Sequence, residues 1–150
     1  MTQERYVAPD ARSPEYVPFL NDLIERKSID FLHAQPDPEV RVISEWRYQI
    51  QAQTFLPKPS SLAVCQDKYE TYKRLARVGV PVPQSYALPN EVRLNEVWDI
   101  LMPGVGKLWL RANTGAAGRG SYLIQVYGKF PEAVAWINSQ KGWGEFMAAE

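Results

Sequence analysis

The sequence is poor in cysteine and histidine, with one residue of each in 150. A single cysteine excludes an internal disulfide, and one cysteine with one histidine has none of the clustered spacing typical of a zinc site. A cysteine nucleophile needs a base beside it, and His33 is far from Cys65 along the chain. We therefore expect Cys65 to be a buried, inert thiol and expect no metal ligands in this chain.

The sequence also lacks an excess of charge and a long apolar run. Lys plus Arg and Asp plus Glu number 17 each, so the whole chain does not attract nucleic acid or an anionic membrane, and any anion site must be local. No apolar run approaches the roughly 18 residues of a membrane span, and the N-terminus has no signal-peptide pattern. We expect a cytoplasmic protein without nucleic-acid or membrane partners. A hydrophobic content of 45% suffices for one core or two small ones.

Glycine, by contrast, is concentrated in one loop between two strand-like runs, residues 108–126 (LWLRANTGAAGRGSYLIQV). Small residues let the backbone N–H groups approach an anion closely, and one arginine adds positive charge at the tip. No helix follows the glycines and no Gly-Lys-[Ser/Thr] is present, which disfavours a dinucleotide fingerprint or a P-loop. The segment predicts a glycine-rich β-hairpin that covers phosphates, with an ordinary turn as the alternative. The candidate loop residues are Thr114, Gly115, Ala116, Ala117, Gly118, Arg119, Gly120 and Ser121.

The first sixty residues alternate helical and strand patterns. Residues 14–27 place apolar side chains on one helical face, with Ser13 as a plausible N-cap. A short strand is expected at 29–34, a helix at 37–46, and at most one strand before them, at 5–7. This alternation favours a parallel βα arrangement. A doubly wound unit normally opens with a strand and a glycine-rich turn, so we expect this chain to begin inside a domain.

The remaining residues predict a different, mixed architecture. Residues 54–61 are proline-rich, so we expect this segment to be extended and take it as a candidate domain boundary. The expected elements after them are a helix at 62–78 stopped by Gly79, an extended segment at 80–83, a helix at 91–101 interrupted by Pro103 and Gly104, a strand at 108–110, a helix at 132–139 and an apolar run at 145–149. The predicted fold class is therefore α/β, becoming α+β in the second part.

Arg111 directly follows an apolar strand, where an unpaired charge is costly. It therefore needs either an acidic partner or a bound anion. Lys68, viewed alone, is an ordinary solvated lysine on a helix.

Four features in order resemble the ATP-grasp superfamily: Asp67-Lys68 at the head of a helix, Gly-Val-Pro-Val-Pro at 79–83, a strand ending in Arg111, and the glycine-rich loop. Most ATP-grasp ligases have lysine where Arg111 stands, so the likeness is greatest to the large subunit of carbamoyl-phosphate synthase. Residues 29–39 (IDFLHAQPDPE) are similar to the second half of the pre-ATP-grasp domain. The resemblance implies a partial pre-ATP-grasp, Rossmann-like domain at 1–60 and the first ATP-grasp subdomain, incomplete at its C-terminus, at 61–150.

The resemblance also implies roles for individual residues. Lys68 would reach the triphosphate, and Arg111 would contact the α-phosphate region and the adenine edge. The loop at 114–121 would cover the β- and γ-phosphates. Residues 146–150 would form the hinge strand whose backbone pairs with adenine, with Glu150 at the hinge. ATP is the implied cofactor, with Mg²⁺ held by carboxylates of the second ATP-grasp subdomain, which would begin after Glu150.

The implied function is the ATP-binding segment of a ligase that activates a carboxylate as an acyl phosphate. Without the metal-holding carboxylates, phosphoryl transfer loses its main electrostatic stabilisation, so this segment is not expected to be catalytic alone, and its status as an enzyme stays open. The expected partners are a nucleotide and either the missing catalytic half or a second copy. The alternative is a non-catalytic α/β interaction module that associates with itself or with a partner chain.

Overall fold

The computed structural model describes residues 4–115, 120–125, 127–140 and 142–150. The chain divides into two compact units, one ending at Ala63 and the other comprising Val64–Glu150. Within the described ranges, no helix has both the length and the apolar character needed to cross a bilayer.

The first unit is a small parallel βα arrangement. Its elements are α1 (Tyr16–Lys27), β1 (Phe31–Leu32), α2 (Asp37–Glu45) and β2 (Gln53–Thr54). β1 and β2 pair in parallel, with α2 in the connection between them, so the predicted parallel arrangement is confirmed. The apolar core joins side chains spaced one turn apart on α1 to residues of α2 and the loops, namely Ala11, Tyr16, Leu20, Ile24, Ala34, Ile43 and Ile50.

Two predictions concern the N-terminal end of this unit. Residues 5–7, where at most one strand was expected, form none, because no neighbouring strand offers them backbone partners within the described part of the chain. The first helix begins at Tyr16, with Glu15 at the N-cap position. The predicted cap, Ser13, lies two residues earlier, and its hydroxyl accepts a hydrogen bond from the Glu15 N–H at 3.2 Å. At the other end, Ser28 adopts a left-handed φ of 50°, which ends the helix.

The helix predicted at 62–78 is two helices. α3 (Pro59–Gln66) begins inside the segment predicted to be extended, and α4 (Lys68–Arg77) follows after a single break at Asp67. The Asp67 backbone is extended, and its carboxylate accepts a hydrogen bond from the Glu70 N–H at 2.9 Å. Asp67 is thus a side-chain N-cap, and the break places Lys68 in the first turn of α4.

The second unit is built on a four-stranded antiparallel sheet, with two helices packed against one face and α4 beside the other. Its strands are β3 (Ser85–Ala87), β4 (Leu108–Ala112), β5 (Ser121–Ile124) and β6 (Phe146–Ala149), in the spatial order β3-β6-β4-β5. α5 (Glu91–Val105) and α6 (Phe130–Ser139), the latter preceded by a 3₁₀ turn (Tyr127–Lys129), supply the rest of the core. β4 and β5 flank the glycine-rich segment and pair antiparallel, as predicted.

α5 is longer than expected, since it continues through Pro103 and Gly104 to Val105. Pro103 lies in the last turn, where the missing N–H removes one intrahelical bond without breaking the helix. Gly106, with φ of 69°, then ends the helix, and its N–H donates to the Met102 carbonyl at 2.9 Å.

Alternation along β4 separates the core from the opposite face of the sheet. Leu108 and Leu110 are fully buried against α5 and α6, whereas Trp109 and Arg111 point to the other side. In register with these two outward residues lie Leu123 and Ala149 beside Trp109, and Ser121 and Met147 beside Arg111. This second face carries the candidate site.

Candidate functional site

Arg111 projects from β4 toward α4. Its side chain is half-buried, and its Nη1 donates to the Tyr72 hydroxyl at 3.3 Å. Within the described ranges, no carboxylate lies within ion-pair distance of this guanidinium. Arg111 was expected to need either an acidic partner or a bound anion, and the described residues supply no acidic partner.

Lys68 joins the start of α4 to the start of the glycine-rich loop. Its backbone N–H donates to the Asn113 carbonyl at 2.8 Å. Its ammonium donates to the Ala112 carbonyl at 3.2 Å and to the Gly115 carbonyl at 2.7 Å. Two positive side chains, Lys68 and Arg111, thus converge on the end of β4, although they are 43 positions apart in the sequence.

A cavity of about 320 Å³ lies on the outward face of the sheet. Its described lining residues are Tyr72, Pro83, Trp109, Arg111, Ser121, Ala149 and Glu150. The cavity brings together three of the candidate residues named from the sequence: Arg111, Ser121 and Glu150. Lys68, Thr114, Gly115 and Gly120 are not among the described lining residues, and Lys68 contacts the loop backbone instead.

Three lining side chains were missed by sequence reasoning: Tyr72, Pro83 and Trp109. Two of them had a usable signal. Trp109 precedes Arg111 by two residues, so it shares a face of the strand, and Tyr72 follows Lys68 by four, so it shares a face of the helix. Trp109 is 37% exposed, an unusual value for a tryptophan in the interior of a sheet.

Glu150 lies where β3 and β6 meet. Its N–H donates to the Gln84 carbonyl at 3.2 Å, and its Oε1 accepts from the Gln84 N–H at 3.1 Å. β6 is an inner strand, with β3 on one side and β4 on the other, so its ladder is occupied on both edges. The backbone of residues 146–149 therefore has no open edge with which to pair with adenine. Of the segment predicted to contact adenine, this leaves Glu150 and the side chains.

The glycine-rich loop is described at its two ends. Gly115 and Gly120 have φ of 119° and 68°, which confirms that these glycines adopt conformations other residues rarely take. Gly120 also abuts β4: a Cβ there would lie 2.8 Å from the Ala112 Cβ. Ala116, Ala117, Gly118 and Arg119 lie outside the described residues, and their predicted phosphate contacts stay predictions.

Two further findings concern reactive groups. Cys65 is exposed, so the expectation of a buried thiol is wrong: it lies on α3, whose only buried side chain is Leu62. Among the described residues, no three His, Cys, Asp or Glu side chains lie close enough together to hold a metal ion.

No protein-family model and no curated protein sequence matches this chain. Solved structures do match. Biotin carboxylase from Campylobacter jejuni, in a β,γ-ATP complex, is 17% identical over 93% of this chain and 33% of its own, with a TM-score of 0.69. N5-carboxyaminoimidazole ribonucleotide synthetase in its ADP complex is 16% identical over 94% of this chain and 34% of its own, with a TM-score of 0.68.

A third match is the biotin carboxylase domain of the Hydrogenobacter thermophilus 2-oxoglutarate carboxylase, solved with MgADP, ADP and bicarbonate. It is 16% identical over 89% of this chain and 31% of its own, with a TM-score of 0.64. This chain thus spans about a third of each of these proteins. All three are ATP-grasp enzymes, and at these identities the match concerns the fold. The fold of the chain resembles that of the ATP-grasp superfamily.

Proposed function

We propose that this chain is the ATP-binding segment of an ATP-grasp ligase similar to carbamoyl-phosphate synthase. The ligase would activate a carboxylate through an acyl phosphate, and this segment would not be catalytic alone. Residues 1–60 would be the end of a pre-ATP-grasp domain, and residues 61–150 the first ATP-grasp subdomain. The fold likeness supports this assignment, and so does the chemistry of the cavity on the sheet.

The observation that carries the proposal is the state of Arg111. A half-buried guanidinium whose described hydrogen-bond partner is a neutral phenol lacks a compensating charge. Such a group is stabilised by an anion, and its planar fork suits the oxygens of a phosphate. Arg111 opens into a cavity rather than into the core, so a ligand can reach it.

The rest of the cavity suits a nucleotide. Trp109 and Pro83 present flat apolar surface on which a purine ring can stack. Lys68 lies at the first turn of α4, where the helix dipole also favours an anion, and its ammonium contacts the start of the glycine-rich loop. We assign the base to the Trp109 side and the phosphates to Arg111, Lys68 and the loop, including Ala116 to Arg119.

Mg²⁺ would neutralise charge on the bound triphosphate. The carboxylates that hold it are expected from a second ATP-grasp subdomain. The MgADP in the 2-oxoglutarate carboxylase domain is consistent with a metal in sites of this fold. The residues of this chain would therefore bind and orient the nucleotide, and a second subdomain would complete the catalytic site.

The test is isothermal titration calorimetry with ATP, with and without Mg²⁺, on the wild-type chain and on Arg111→Ala. Charge-assisted hydrogen bonds are worth about 1.5–3 kcal/mol, so we expect the dissociation constant to rise by about 10- to 150-fold. Arg93→Ala is the matched control, because Arg93 pairs with Glu96 on α5 and does not line the cavity. Equal affinity in wild type and Arg111→Ala, or no binding by either at millimolar ATP, would overturn the proposal.

A second candidate function is association, and the first unit supplies the observation. Tyr48 and Phe55 are 96% and 89% exposed, and Phe31 and Trp46 are about half exposed. β1 and β2 form a two-stranded sheet whose outer edges have no strand partner among the described residues. Exposed aromatics beside open strand edges are typical of interaction surfaces. Light scattering on the wild-type chain and on Phe55→Ser would detect dimerisation that depends on this surface.

A further inference from the structure

A second cavity lies beside the first and is not used by the proposed nucleotide site. Its volume is about 280 Å³, and it lies between α4 and the extended residues that lead into β3. Tyr72 and Pro83 line both cavities. The second cavity alone is lined by Tyr69, Lys73, Arg77 and Val82.

Part of the lining of this cavity is aromatic and apolar. Tyr69 and Tyr72 present aromatic side chains from α4, and Val82 and Pro83 face them from the extended segment. None of the α4 side chains, all of which are described, is buried, so these rings are not part of a core. Aromatic side chains held beside a proline form a slot suited to a planar apolar group.

The charge of the cavity is positive. Lys73 and Arg77 line it, and its described lining includes no carboxylate. Lys73 forms an ion pair with Glu70 at 2.9 Å, and this bond holds the pKa of Glu70 below its usual value. Arg77 forms no hydrogen bond or ion pair with a described residue, but its charge and that of Arg74 add to the effect of Lys73 in lowering the pKa of Glu70. The Lys73 ammonium also lies 5.9 Å from the centre of the Tyr69 ring. The cavity therefore combines aromatic side chains with one ion-paired cation and one cation that forms no ion pair with the described residues.

We propose that this second cavity binds a small organic phosphate, a phosphate group carried on a flat apolar body. The phosphate would lie against Arg77 and Lys73, since a phosphate monoester carries nearly two negative charges at neutral pH and two cations match it. The apolar body would lie between the tyrosine rings and Pro83.

The test uses phenyl phosphate as the probe, titrated into the ¹⁵N-labelled full chain and followed by NMR. We expect saturable shifts at residues 69–85 with a dissociation constant of about millimolar order. Arg77→Gln should weaken binding at least about fivefold, because a charge-assisted contact is lost. Arg74→Gln should change it less than about twofold, since Arg74 lies in the same helical turn with the same charge but does not line the cavity.

Three results would overturn the proposal: no saturable shift, equal losses in Arg74→Gln and Arg77→Gln, or inorganic phosphate binding as tightly as phenyl phosphate. The last would show that the aromatic slot contributes nothing. The nucleotide proposal fails separately. Arg111→Ala should leave phenyl phosphate binding unchanged, and Arg77→Gln should leave ATP binding unchanged, so each ligand reports on its own cavity.

Discussion

Gly120→Ala tests the closure of the β4–β5 hairpin at the end of the glycine-rich loop. Gly120 has φ of 68°, and its carbonyl accepts the Ala112 N–H at 2.6 Å. A new Cβ would meet the Ala112 Cβ at 2.8 Å, closer than real Cβ atoms approach one another. The left-handed conformation costs an alanine about 1–2 kcal/mol and the overpacking about 1–3 kcal/mol. We expect the free energy of unfolding to fall by about 3 kcal/mol in total.

The two causes can be separated within this chain. Gly106 has φ of 69°, and a Cβ there would meet nothing within 4 Å, so Gly106→Ala measures the backbone strain alone. Ala112→Gly removes the methyl group that the new Cβ would meet. The double variant should therefore be more stable, by about 1–3 kcal/mol, than the sum of the two single effects predicts, and this coupling energy measures the overpacking.

The assay is urea unfolding followed by tryptophan fluorescence. In a Trp46→Phe background, the remaining tryptophans all lie in the second unit, so the signal reports on that unit. Overpacking at this contact is contradicted if Gly120→Ala destabilises the unit no more than Gly106→Ala does, or if Ala112→Gly and Gly120→Ala have additive effects.

Three further predictions concern other parts of the chain. Lys68→Met removes the two hydrogen bonds that the ammonium donates to backbone carbonyls, so the unfolding free energy of the second unit should fall by about 1–2 kcal/mol in urea. The control Lys73→Met loses only an exposed ion pair and should change this free energy by less than about 0.5 kcal/mol. Asp67→Ala removes the N-cap of α4 and should lower the unfolding free energy by about 1 kcal/mol, and Asp67→Asn, which retains an acceptor, should restore most of it. Burial, followed by the charge of Glu39 and a hydrogen bond to it, raises the pKa of Tyr16 to about 12 from 10.0. Between about pH 10 and 12 the unfolded chain loses this proton and the folded chain keeps it. Over this range the unfolding free energy of wild type, relative to that of Tyr16→Phe, should therefore fall by about 2–3 kcal/mol, as measured by circular dichroism in urea. A difference between the two proteins that does not depend on pH would contradict the raised pKa.

The local elements followed closely from sequence pattern. The helix near residues 14–27, the parallel βα arrangement and the hairpin around the glycines were all predicted, because apolar spacing and turn residues act over a few positions. The errors also have local causes. Asp67 splits one predicted helix because it caps the second, and Pro103 does not stop α5 because it falls in the last turn.

Interior strands are harder to recognise than hairpins. Nothing in the residues 146–149 shows that both edges of this strand are occupied, since its partners β3 and β4 precede it by tens of residues. The sequence therefore predicted adenine contacts along the whole backbone of 146–150, whereas the structure leaves only Glu150 and side chains for them. The missed lining residues have the same origin: Pro83 joins the cavity only because the extended segment before β3 passes beside α4.

Short-range pattern alone placed Arg111 at a strand end and showed that it needs a counter-charge. It also placed glycines where positive φ angles are required. Only the tertiary structure showed that, among the described residues, no carboxylate pairs with Arg111, and that its guanidinium donates to the Tyr72 hydroxyl and lines a cavity. The physical reason is that periodicity and turn chemistry depend on neighbouring residues, whereas a binding cavity depends on which distant strands and helices pack together.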